Sequence, residues 1–110
     1  MQNIQRRLDQ LLGETIDEVL CSLGEPVKDH IYDRLEDEFS IAKYALPQQI
    51  GEFSKFLYRI FGPNAKLIEI KCMKIFYSKI KIDHYLENLT IICDNDFTLL
   101  TYVDKFRASS

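Results

Sequence analysis

The 110-residue sequence has no tryptophan, four glycines, three prolines, three cysteines and two histidines, and each scarcity excludes something. Four scattered glycines contain neither G-x-G-x-x-G nor a phosphate loop, which argues against nucleotide chemistry. Cys21, Cys72 and Cys93 are odd in number and far apart, without a C-x-x-C pair. They fit neither a disulfide framework nor a zinc knuckle, and are expected to be buried and reduced. His30 and His84 have no second His or Cys at ligand spacing, so no metal or other cofactor is expected. Asp94-x-Asp96 starts like a calcium loop but lacks the glycine and the closing glutamate, and reads as helix-capping chemistry. There is no Gly-x-Ser-x-Gly elbow, and a shallow pocket built from His84, Cys93 and nearby acids is the weakest functional reading.

Long apolar runs are missing too. None approaches the roughly 18 residues of a membrane span, and the start, Met1-Gln2-Asn3-Ile4-Gln5-Arg6-Arg7, has no apolar centre of a secretory signal. The expectation is a cytoplasmic protein with no membrane partner. The sequon Asn88-Leu89-Thr90 then reads as coincidence. The apolar fraction of 46% and charged fraction of 28% are globular values, and the length suits one domain over residues 1–110.

What the chain does have is charge segregation. From Glu14 to Glu38 nine acids face only Lys28 and Arg34, a net of −7, whereas from Pro63 to Ile82 five lysines face only Glu69, a net of +4. A molecule so polarised can steer a partner, a nucleic acid or another copy of itself.

Amphipathic segments separated by Gly, Pro and Asn make up the rest. Ile4, Leu8, Leu11 and Leu12 predict a helix over about 2–12, and Gly13 a break or a bend. Thr15 with Glu18 fits a capping box opening a second helix that ends at Gly24. Pro26 suits a first helical position, and Val27, Ile31, Leu35 and Phe39 draw an apolar stripe with Asp29, Asp33, Glu36 and Asp37 largely off it. Residues 40–46 read as a connection and Pro47 as a helix start, followed by Ile50, Phe53, Phe56, Leu57, Ile60 and Phe61 up to Gly62. Asn64 is the expected cap of the next helix, whose apolar residues appear on several sides, as in a helix enclosed by its neighbours. Ile80-Lys81-Ile82 and Leu89 to Cys93 have strand character, leaving a short strand pair near residues 80–94 as an alternative. Asp94-Asn95-Asp96 offers caps for a last helix from Phe97 to Phe106.

The fold class expected is all-α, a bundle of five or six short helices with Ile31, Leu35, Phe53, Phe56, Leu57 and Ile60 near its centre, together with Ile68, Phe76, Leu99, Leu100 and Val103. In order along the chain, Thr15-x-x-Glu18-Val19-Leu20 ends in Leu23-Gly24 and a spaced apolar helix ends near Phe39-Ser40-Ile41. Ile50-Gly51-Glu52-Phe53 then leads to Leu57-Tyr58-Arg59-Ile60-Phe61-Gly62, and Asp96 to Val103 closes the series. In this order the chain resembles, over about residues 15–107, the archaeal (thaumarchaeal) nitro output domain family of small helical signalling domains. That resemblance implies a non-enzymatic role at the output end of signal transduction and transfers no catalytic residue.

The candidate surface residues are Lys66, Lys74 and Lys81 on one side of the predicted fifth segment, and Asp33 and Glu36 on the acidic helix. At 100° per residue the three lysines lie within about a quarter turn. Such a stripe can be the wet face of a packing helix, because lysine stems lie along apolar surface with the ammonium in water. It can equally meet an acidic protein surface, including residues 14–38 of a second copy, or phosphates with Tyr77 nearby for stacking. The acidic whole weighs against nucleic acid. The expected function is an interaction module that recognises a protein partner through a charged helical face, with a nucleic-acid-binding regulator as alternative and no small-molecule substrate identified.

Overall fold

A computed structural model describes residues 2–82 and 98–109, with side chains described for 6–80 and 98–107. It is an all-α bundle of five helices: α1 (Gln2–Cys21), α2 (Glu25–Phe39), α3 (Ile50–Phe61), α4 (Ala65–Ile82) and α5 (Leu99–Ser109). Short 3₁₀ turns precede α3 (Lys43–Gln48) and α4 (Gly62–Asn64). No strand occurs among the described residues. Residues 80–82 form the end of α4, and the remainder of the expected strand pair, 83–94, lies outside the described residues, as do His84, Cys93 and the cap run 94–96.

The first helix corrects the sequence reading. Gly13 does not break it, and Thr15 opens no capping box: α1 runs on as 20 residues, and the buried Thr15 hydroxyl donates to the Leu11 carbonyl at 2.7 Å, four residues back in the same helix. Glycine in a helix costs about 1 kcal/mol relative to alanine. Leu8, Leu11, Leu12, Ile16, Val19 and Leu20 are all nearly inaccessible, and burying each is worth roughly 1.5–3 kcal/mol. Packing therefore outweighs the local break signal.

At the other ends the local signals operate. Gly24, at φ 107°, turns the chain into α2, with Pro26 in its first turn. Ser40, at φ 55°, closes α2: its N–H donates to Glu36 O at 3.0 Å, the five-to-one bond of a left-handed helix end, and the N–H of buried Ile41 donates to Leu35 O at 3.2 Å. The expected connection contains the 3₁₀ turn 43–48, with buried Pro47 inside it, and α3 starts later, at Ile50. Gly62, at φ 60°, ends α3, its N–H donating to Tyr58 O. Asn64 closes the 3₁₀ turn that follows, and α4 begins directly after it.

The core is filled chiefly by α1, α3, α4 and α5. On α4, Ala65, Ile68, Glu69, Cys72, Met73, Phe76 and Ile80 are buried, one face at 3–4-residue spacing. This face packs most extensively on α1, and also on α3 and α5. The helix is thus one-faced rather than enclosed, and Leu67 is 67% exposed. Phe106 stands edge-on to both Phe76 and Tyr102, with centroids 5.4 and 5.1 Å apart, a favoured aromatic arrangement. Two expected core residues are corrected: Ile60 and Leu100 are each 39% exposed. Ile60 sits on the last turn of α3, beside the chain reversal at Gly62. Leu100 is turned about 100° from Leu99, off the face formed by Leu99, Tyr102, Val103 and Phe106.

Candidate functional site

Because α4 turns one face inward, its lysines fall on the remaining surface. Lys66 is half-buried and Lys74 exposed; Lys81 belongs to the last turn, its side chain outside the described ones. Helical geometry brings the three Cα positions within an arc of about 80°. Their neighbours are already engaged. Lys79 pairs with Glu18 at 3.1 Å and Lys71 donates to Ser22 Oγ at 2.9 Å, so two of the five lysines tie α4 to α1 and to the turn that follows it. Lys66 has an interaction within the molecule as well.

The acids of α2 behave differently. Glu25, Asp29, Asp33 and Glu36 share an arc of about 80°, opposite the buried Ile31 and Leu35. Glu25 pairs with Lys28 at 3.7 Å, and Glu38 with Arg34 at 2.6 Å and with Arg59. Those guanidiniums, Arg34 first, hold the Glu38 carboxyl below its ordinary pKa. By contrast Asp29, Asp33, Glu36 and Asp37 are exposed, and among the described residues they form no ion pair or side-chain hydrogen bond. Three acids, Glu36, Asp37 and Glu38, occupy the last turn, which holds no basic residue. They oppose the helix dipole there, while like charges at i,i+4 repel one another. The α2 acids and α4 lysines do not form one site: α2 packs on α1 and α3, and α4 on α1, α3 and α5.

Two polar arrangements, one buried and one partly exposed, escaped the sequence reading. Glu69 is fully buried; its Oε2 accepts from the Leu99 N–H at 3.0 Å and from the Ser54 hydroxyl at 3.2 Å. Its Oε1 has no hydrogen-bond partner among the described residues. The carboxylate thereby fixes the start of α5, whose cap is Thr98, accepting from the Thr101 N–H at 3.1 Å. The available signal was position: Glu69 falls in the apolar series Ala65, Ile68, Cys72, Met73. The second arrangement is Asp17, which accepts from the Tyr32 hydroxyl at 3.0 Å and pairs with Lys43 at 3.1 Å. Burial pushes Asp17 up, but the Lys43 and Tyr32 hydrogen bonds outweigh it and hold the carboxyl below its ordinary value. Burial, reinforced by Asp17, pushes the Tyr32 phenol up.

The cysteines offer no activated nucleophile among the described residues. Cys72 is buried, and burial, helped by the nearby Glu69, raises its thiol to about 12, far from the thiolate range. Cys21 is only half-buried, not buried as expected, and accepts from Lys28 Nζ at 3.3 Å. Among the described residues no three His, Cys, Asp or Glu side chains converge as a metal site, and no helix is long and apolar enough to cross a membrane.

A cleft of about 550 Å³ opens where α1 faces the 3₁₀ turn 43–48. Neither the α2 acids nor the α4 lysines line it. The chain matches no known family model, no curated protein and no solved structure. Function has to be read from the surface itself.

Proposed function

We propose that this chain is a non-enzymatic interaction module that recognises a basic protein segment through the acidic face of α2. One observation carries the reading: Asp29, Asp33, Glu36 and Asp37 stand exposed and, among the described residues, unpaired on a helix whose last turn Glu36 and Asp37 electrostatically disfavour, while the lysines of α4 are in good part engaged internally. A cationic partner would relieve that repulsion. Its charges would govern encounter and specificity more than affinity. This function fits the resemblance to nitro output domains and a place in cytoplasmic signalling.

The test is fluorescence anisotropy of a labelled Lys/Arg-rich peptide and, in parallel, of a labelled DNA duplex, each at low and near-physiological salt. Salt-sensitive peptide binding that disappears in Asp33→Lys/Glu36→Lys, with the helical circular dichroism retained, is the expected result. Duplex binding lost in Lys66→Glu/Lys74→Glu would replace this reading with a nucleic-acid regulator. Sedimentation that shows a salt-sensitive dimer, dispersed by either double reversal, would make the partner a second copy.

A further inference from the structure

The α1 cleft stands apart from the charged faces and has a composition of its own. Ile16, Leu46 and Pro47 are buried along it, and an apolar floor of several hundred Å³ with a few polar groups is what small-ligand sites share. Tyr44 stands beside it 86% exposed, a ring with little of the protein against it.

Gly13 is the residue that keeps the cleft open. It lies in mid-helix, where alanine is the better helix former, and a Cβ there would meet only Pro47 Cγ at 3.7 Å, an ordinary contact. Neither its conformation nor the packing of the fold requires glycine at this position. What a larger side chain would take away is room in the cleft.

The charges give the cleft a direction. Asp9 accepts from Gln48 at 2.7 Å and pairs with Arg107 at 2.8 Å, and Lys43 is held by Asp17. The other two charged lining residues, Arg6 and Glu14, form no ion pair or hydrogen bond among the described residues. They stand eight residues apart on α1, about 12 Å along its axis. We infer that this cleft binds a small carboxylate with an aromatic or aliphatic body, its anionic group at Arg6, its body across Gly13 and Pro47 beside Tyr44, and its far end, near Glu14, uncharged or cationic.

Titration of the full chain with 2-naphthoate, followed by amide chemical shifts, tests this. Saturable shifts are expected at Gly13, Ile16, Leu46 and Gln48. Arg6→Gln should weaken naphthoate by about threefold, the scale of one exposed ion pair, and leave the neutral 2-naphthalenemethanol unchanged, whereas Glu14→Gln should tighten naphthoate. Gly13→Leu should abolish binding of both probes, and Gly13→Ala should retain it with an unchanged fold. No saturable shift at millimolar probe, shifts centred elsewhere, or undiminished binding in a folded Gly13→Leu protein would each overturn the site. None of these outcomes touches the acids of α2, so the peptide-binding function stands or falls separately.

Discussion

Helices α2 and α4 both present charge of predominantly one sign to solvent, yet the charge serves different ends. On α4 seven side chains are buried, among them an acid, Lys79 pairs with Glu18 of α1, and Lys71 donates to Ser22 in the turn after α1. On α2 only Ile31 and Leu35 are fully buried, and four acids have no counter-charge among the described residues. The basic helix is wired into the fold, and the acidic helix is held by a narrow apolar seam with its charge left over. A surface is a better candidate for recognition when its charges are not already satisfied within the molecule.

The sharpest way to break this comparison is a pair of truncations. Phe76→Ala on α4 should cost about 3–5 kcal/mol in a urea melt, and Val27→Ala on α2, where Val27 is 39% exposed, within about 0.5 kcal/mol. Equal effects would mean that α2 is as deeply anchored as α4. Next in size, Glu69→Ala should cost about 2–3 kcal/mol, because it strands the buried Leu99 N–H; Glu69→Gln, which keeps an acceptor, should cost less.

A pH series places Asp17 between these extremes. Its folded pKa lies below the ordinary aspartate value, so its stabilisation is present above that ordinary value and is lost as pH falls through the folded one. The stability gap between the native protein and Asp17→Asn should therefore be full at pH 7, start to narrow as pH falls below the ordinary aspartate value, and close below the lowered folded one. A gap that does not narrow at all in acid would show that packing, not charge, accounts for it. The smallest expected effect on stability has the opposite sign: Asp33→Asn with Glu36→Gln should raise it by about 0.3–0.5 kcal/mol through relieved repulsion and weaken binding of the basic peptide about tenfold, two exposed ion pairs' worth.

The sequence made the helical class readable, together with the turns at Gly24 and Gly62 and most of the central residues, because apolar spacing and backbone-permissive glycines act within a few positions of one another. It misread Gly13 and Thr15 for the same reason: their local signal is that of a break, and only the burial of Leu11, Leu12 and Ile16 overrides it. Asp33 and Glu36 could be placed on an exposed face from spacing alone. That Lys71 and Lys79 are engaged could not, since their partners, Ser22 and Glu18, lie 49 and 61 positions away.

The chain by itself determined an all-α fold, a segregated charge and a helix whose acids face away from its apolar seam, since each follows from a 3.6-residue period acting on neighbouring residues. Tertiary structure decided that Glu69 would be buried to hold α5, which lysines would be neutralised, and that Gly13 would open onto a cleft instead of ending a helix. Those outcomes depend on which distant side chains meet, and so on packing energies that no short stretch of the sequence carries.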